Sequence, residues 1–205
     1  IFEMQLSAIR HGLGATHTLD FVEGAIPAKM DDDFKHLINE DEKCFSYFDE
    51  DDLSSSWNAL KHLDGFFNAN GPYDGIIAFS QPVGLVGTWI LDRIARGIPS
   101  VKCGIFLSAA STAVDPASLQ RGRRIDLRAS TAPQQIDIPT AHIYGENDPY
   151  KNEAQEFAAI CNEDSRFVLI HPGGHEVPGS GSNSDVKDSI QLAINVIQRA
   201  ILLGS

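Results

Sequence analysis

Apolar positions fall in short blocks whose period changes along the chain. Phe2, Leu6, Ile9 and Leu13 recur every three to four residues, which predicts an amphipathic helix over the first dozen residues, ended by Gly12 and Gly14. Thr16 to Val22 alternates and predicts a strand closed by Gly24 and Pro27. Acids dominate Asp31 to Asp52, with Asp31-Asp32-Asp33 and Asp49-Glu50-Asp51-Asp52. That pattern suits a solvated loop with a short helix, or a cap over a site. Ser54-Ser55-Ser56 offers an N-cap for a helix to about Phe67, and Asn70-Gly71-Pro72 makes a turn.

Four short apolar runs read as buried strands: Tyr73 to Phe79, Gly104 to Leu107, Ala141 to Tyr144 and Phe167 to Ile170. Pro82 to Arg96, Asn152 to Cys161 and Val186 to Leu203 read as helices. Pro82 stands in a first turn, where a missing N–H matters little. Residues 111–138 lack a strong period, and no internal repeat is evident. Strands alternating with helices predict an α/β fold, a mostly parallel sheet covered on both faces. The expected organisation is one domain over 1–205, with possible cap segments at 28–53 and 111–138. Active groups in such a sheet sit in loops beyond the strand C-termini.

Three of those loops carry suggestive groups. Ser80-Gln81-Pro82 turns from a strand into a helix, which pushes the serine hydroxyl out of the sheet. The N–H of Gln81 points into the same space, at a helix N-terminus where negative charge is favoured. Gly145-Glu146-Asn147-Asp148-Pro149 follows the third strand and His171-Pro172-Gly173-Gly174-His175 the fourth. The order serine, aspartate, histidine is that of α/β-hydrolases. A serine hydroxyl is a poor nucleophile at neutral pH, so a histidine must take its proton and later deliver it to the leaving group. A carboxylate must hold that histidine in one tautomer.

These segments resemble the fungal serine hydrolase (FSH) family of α/β-hydrolases, which includes release thioesterases of fungal polyketide pathways. The resemblance runs through Ile1-Phe2-Glu3-Met4-Gln5, Phe21-Val22-Glu23-Gly24, Tyr73 to Gln81, Gly145 to Pro149 and Gly173-Gly174-His175-Glu176-Val177-Pro178. It implies Ser80 as nucleophile, Asp148 as orienting acid, His175 as general base and the Gln81 N–H as an oxyanion donor. Two departures stand out. The family's Gly-Phe-Ser-Gln-Gly elbow has Ala78 and Pro82 here in place of its glycines. The family also begins with a strand ending in a Leu-His-Gly type loop that supplies a second oxyanion donor, and this sequence starts after that point. Because the chain opens Ile-Phe-Glu-Met and not with an initiator Met, either a preceding segment or a processed end is expected.

Composition narrows the partners. The 205 residues carry a formal charge of −12, which disfavours a nucleic-acid partner. No apolar run approaches the roughly 18–20 residues of a membrane helix. Cys44, Cys103 and Cys161 lack CxxC spacing and read as reduced thiols, with a cytoplasmic location expected and no signal-peptide pattern. Against −12, Arg121, Arg123, Arg124 and Arg128 form either a solvated face or a docking patch for an acyl-carrier protein or coenzyme A phosphates.

Other groups weigh less. His171 and His175 lie four apart, but Pro172-Gly173-Gly174 breaks any helix between them, so no metal site is expected. Glu146 is the alternative acid. His171 and Phe79 are candidate pocket residues; Trp89 is another, or a core residue. No cofactor is expected. The function expected is hydrolysis of an acyl thioester or ester through an acyl-serine, with a polyketide-type release thioesterase favoured by the resemblance. A short- or medium-chain carboxylesterase is the alternative, and a non-catalytic scaffold on a degenerate hydrolase fold is the reading of another class.

Overall fold

The computed structural model describes residues 2–28, 43–130, 135–179 and 186–205. The first helix forms as two pieces, α1 (Phe2–Gln5) and α2 (Ser7–Leu13), joined at Leu6. The strand expected over Thr16–Val22 does not form: residues 17–24 run irregularly and are largely exposed. Alternation alone makes no ladder, and no described strand pairs with this stretch. Pairing comes just after it, where β1 (Ile26–Ala28) lies antiparallel to β2 (Cys44–Ser46). Residues 29–42, which hold most of the first expected cap segment, lie outside the described residues.

Helix α3 (Leu53–Asn70) starts two residues before the first start that a Ser54 cap would allow, and runs three past Phe67. Its cap is Asp52, whose carboxylate accepts the Ser54 N–H at 2.9 Å, in place of the serine run. The carboxylate outcompetes the hydroxyls, and the Ser54 hydroxyl itself donates to it at 2.7 Å. The chain then alternates: β3 (Gly75–Phe79), α4 (Pro82–Ala95), β4 (Cys103–Leu107), the short α5 (Pro116–Gln120), β5 (Thr140–Gly145), α6 (Lys151–Ala159), β6 (Arg166–His171) and α7 (Val186–Leu203). Helix α5 lies in the stretch without a readable period and is capped by Asp115.

β3, β4, β5 and β6 pair in that order, all parallel. Phe79, Leu107, Ile143 and Leu169 stand side by side across them, so the loops beyond β3, β5 and β6 leave at one edge and one level. Each face is apolar. Ile105 and Leu107 of β4 pack with Ile9, Leu13, Ile194 and Ile197 of α2 and α7. Ala78 and Phe106 pack with Leu60, Trp89 and Phe157 of α3, α4 and α6. Burying both faces is what makes the strands read as continuous apolar runs. The α3–α4 pair is also tied by Asp64, which accepts from Trp89 Nε1 at 2.9 Å and Arg93 Nη1 at 2.6 Å. This is the α/β-hydrolase fold. No described helix is long and apolar enough to cross a membrane.

Candidate active site

Ser80 sits between β3 and α4 with φ of 64°, in the left-handed region that non-glycine residues rarely occupy. Such a residue costs of order 1–3 kcal/mol and persists only where its surroundings enforce it. Here both backbone groups are held. Its N–H donates to the Leu107 carbonyl at 3.0 Å, and its carbonyl accepts the Val83 N–H at 3.1 Å. Ala78 is buried without displacing β3, and Pro82 fills the first helical position of α4. The two departures from the glycine-flanked elbow therefore fit a sharp strand-to-helix turn. The Gln81 N–H has no hydrogen-bond partner among the described residues. Its carboxamide does: the oxygen accepts from Ser46 Oγ at 3.1 Å, and Nε2 donates to Glu50 Oε1 at 3.2 Å and the Phe48 carbonyl at 3.5 Å.

Asp148 lies in the loop after β5, with its side chain fully buried. Oδ1 accepts the Tyr150 N–H at 2.8 Å. His175 Nδ1 stands 3.0 Å from both carboxylate oxygens, and its Nε2 stands 2.8 Å from Ser80 Oγ. A proton on Nδ1, donated to Asp148, leaves Nε2 free to accept the Ser80 hydroxyl proton. The imidazole is flanked by Phe79 and Tyr150, with ring centroids 5.2 Å and 5.1 Å away. The structure thus joins the three strand-end groups in one hydrogen-bonded chain, suited to base-assisted attack by a hydroxyl.

The remaining candidates separate. His171 is buried, 4% exposed, and is not a wall of the cavity that holds Ser80. It continues the face of Phe167 and Leu169, which pack toward α7. Its Nδ1 accepts the Gly173 N–H at 3.2 Å, and burial holds its pKa below the ordinary histidine value. His171 props the loop that carries His175. Trp89 is fully buried in the core. Glu146 is exposed and pairs with Lys151 at 2.6 Å, away from His175. Arg124 pairs with Asp126 at 2.8 Å and Arg128 with Glu156 at 3.1 Å. Among the described residues no group of three metal-ligating side chains gathers.

No described strand pairs with the outer edge of β3, and a groove along that edge reaches Ser80 past Phe67, Phe79, Leu85 and Val86. Two contributors were not singled out from the sequence. Tyr150 covers His175, and Asn147 joins the loops that hold Asp148 and His175, donating to the Pro172 carbonyl at 2.9 Å. The one sequence trace of that junction is glycine at both loops: a Cβ on Gly145 would overlap the carbonyl oxygens of Gly173 and Gly174.

Comparison with known proteins agrees with this arrangement. A family profile described as serine hydrolase (FSH1) matches residues 1–186. Esterase FPY3 of Fusarium mangiferae is 29% identical over 205 aligned residues, which cover 98% of this chain and 93% of that protein. Esterase FUS5 of Gibberella fujikuroi (strain CBS 195.34 / IMI 58289 / NRRL A-6831) is 27% identical over 209 residues, covering 97% and 82%. Among solved structures, a Paleococcus ferrophilus monoacylglycerol lipase superposes with a TM-score of 0.51 at 9% identity, over 77% of this chain and 79% of that one.

Proposed function

The chain belongs to the serine hydrolase (FSH1) family, and from that premise we propose that it hydrolyses a carboxylic ester or thioester through an acyl-Ser80 intermediate. The carrying observation is the relay from Asp148 through His175 to Ser80, with contacts of 3.0 Å and 2.8 Å. His175 Nε2 takes the Ser80 proton as Oγ bonds to the substrate carbonyl carbon. The resulting oxyanion meets the unpartnered Gln81 N–H, and a donor of this kind is worth about 10²–10³ in rate. His175 then gives its proton to the departing alcohol or thiol. Water, deprotonated by the same nitrogen, attacks the acyl carbon, and the acid leaves as Ser80 regains its proton. Asp148 keeps its negative charge throughout and steadies the imidazolium. No step calls for a cofactor.

The acyl group has an apolar wall beside Ser80 in Phe79, Leu85 and Val86. An ordinary carboxylic ester is the substrate class best supported, since fungal relatives at 27–29% identity are named esterases. Release of a polyketide-type acid from a thioester is the finer reading and rests on the family resemblance. It would call on Arg121 and Arg123 for a carrier protein, because Arg124 and Arg128 are already paired with acids. The free thiols of Cys44, Cys103 and Cys161 suit a reducing, cytoplasm-like setting.

The test is covalent. A fluorophosphonate should add once to the intact chain and not to Ser80→Ala. Turnover of p-nitrophenyl butyrate against the matched butyryl thioester of N-acetylcysteamine then ranks ester over thioester. An unlabelled, folded chain that turns over neither substrate overturns the reading.

A further inference from the structure

His175 has two aromatic neighbours. Phe79 ends β3 beside the nucleophile and Tyr150 follows the Asp148 loop, with ring centroids 5.2 Å and 5.1 Å from the imidazole. Each ring is anchored. Phe2 stacks on Phe79 at 6.0 Å and 11°, and Phe21 meets Phe2 edge-on at 6.3 Å. Tyr150 is fixed through its backbone: its N–H donates to Asp148 Oδ1 at 2.8 Å, and its carbonyl accepts the Ala154 N–H at 3.0 Å. The acid that holds one edge of the imidazole thus also fixes one of the rings beside it. Phe79 is half-buried and lines the groove at Ser80, whereas Tyr150 is 43% exposed and stands outside it. Of the charged groups around His175, Asp148 faces Nδ1, Glu146 is paired with Lys151, and Glu176 lies toward His171.

We propose that Phe79 and Tyr150 act through His175 as positioning residues that stabilise its imidazolium form, a charge that exists only while the reaction is under way. This rests on the hydrolase reading above. An aromatic ring carries negative charge on its faces and attracts a cation within about 6 Å of its centroid. Neutral imidazole gains little from that field. When Ser80 Oγ bonds to the substrate carbonyl carbon, its proton passes to Nε2, and the imidazole becomes a cation beside both π-systems. The attraction therefore grows toward the transition state and is small in the resting enzyme, which is the kind of interaction that raises kcat. Both half-reactions pass through the imidazolium, one when serine attacks and the other when water does, so kcat responds whichever step limits it. The effect is stronger at half-buried Phe79, because water competes for the cation at Tyr150. The two rings add to Asp148, whose charge is constant through the cycle.

Tyr150 is the cleaner probe, since it lies outside the groove. Tyr150→Phe is the reference, and phenylalanines bearing one, two and three ring fluorines at the same position keep its shape while draining negative charge from the ring face. With p-nitrophenyl butyrate, kcat should fall stepwise along this series to about two- to fivefold below the reference, with KM and Tm held. Tyr150→Leu should lose a similar factor. The same fluorinated series at Phe79 should be steeper, up to about thirtyfold, with KM moving as well because Phe79 lines the groove. A kcat that stays flat with fluorination overturns the proposal for that ring, since the ring then only packs, even if leucine there is slow. A kcat that rises overturns it too, since a ring edge then faces the imidazole. A parent chain that neither hydrolyses the ester nor takes a fluorophosphonate at Ser80 overturns the hydrolase reading itself, before any variant is made.

Discussion

Asn147 Nδ2 donates to the Pro172 carbonyl at 2.9 Å, lacing the loop of Asp148 to the loop of His175. Two backbone bonds run beside it, Asn147 N–H to the Gly173 carbonyl at 3.0 Å and Glu146 N–H to the His171 carbonyl at 2.7 Å. Removing the side-chain tie should loosen the acid–base geometry without unfolding the protein. Asn147→Ala is expected to lower kcat by about tenfold with KM unchanged, because small misplacements of reacting groups are expensive in rate. Stability should fall by only about 1 kcal/mol. The rate of fluorophosphonate acylation, beside a thermal melt, checks this. A lower Tm with an unchanged acylation rate would make Asn147 purely structural.

Asp148→Asn keeps an acceptor for the Tyr150 N–H but allows the amide to favour the wrong histidine tautomer. The expected loss in kcat is about 10⁴, with the fold intact. Ester turnover on a variant whose melt matches the parent measures it. A loss under tenfold would remove Asp148 from the orienting role.

Asp64 receives bonds from Trp89, Arg93 and Arg96 in a largely buried position. Burial alone pushes its pKa up, but these partners outweigh it and hold the carboxyl below the ordinary value. The folded form thus binds this proton less tightly than the unfolded chain. Its stabilisation is present above the usual aspartate range and is lost as pH falls through the depressed one. Asp64→Ala should cost about 3 kcal/mol at pH 7, since Arg93 is left buried without its partner. Urea midpoints from pH 6 to pH 2 should show the difference between variant and parent shrinking toward the acid end. A constant difference would mean the loss is packing and not charge.

Burial pushes the Cys103 thiol up to about 11 and the Cys161 thiol up to about 12. Thiolate is the reactive form, so both should resist alkylation at pH 8. Cys44, half-exposed on β2, is the accessible one. Intact mass after brief maleimide treatment should show one adduct on the native chain and three after denaturation. Rapid triple labelling of the native chain would contradict the burial of β4 and of the end of α6.

Much of this was legible in advance because the information was local. Each apolar run flanked by turn residues became a strand, and Ser80, Asp148 and His175 could be placed at strand ends without knowing any distance. The failures came where a partner in space decides. Thr16–Val22 alternates yet lacks a pairing neighbour among the described strands. Ser54 to Ser56 are good caps, but Asp52 precedes them with a charged acceptor. His171 looked like a pocket residue because it ends a strand; the face it continues turns it inward. The grip of Gln81 on Glu50 spans 31 residues, and no spacing rule reads that.

Parallel pairing has a temporal consequence. Ser80 and His175 are 95 residues apart in sequence, and they meet only through β4 and β5. During synthesis the serine leaves the ribosome long before its base exists. Until β6 docks on β5, the elbow has no group to take its proton, so an unfinished or half-assembled chain is chemically silent. Recovery of Ser80 acylation on refolding therefore cannot run ahead of the docking of β6 on β5.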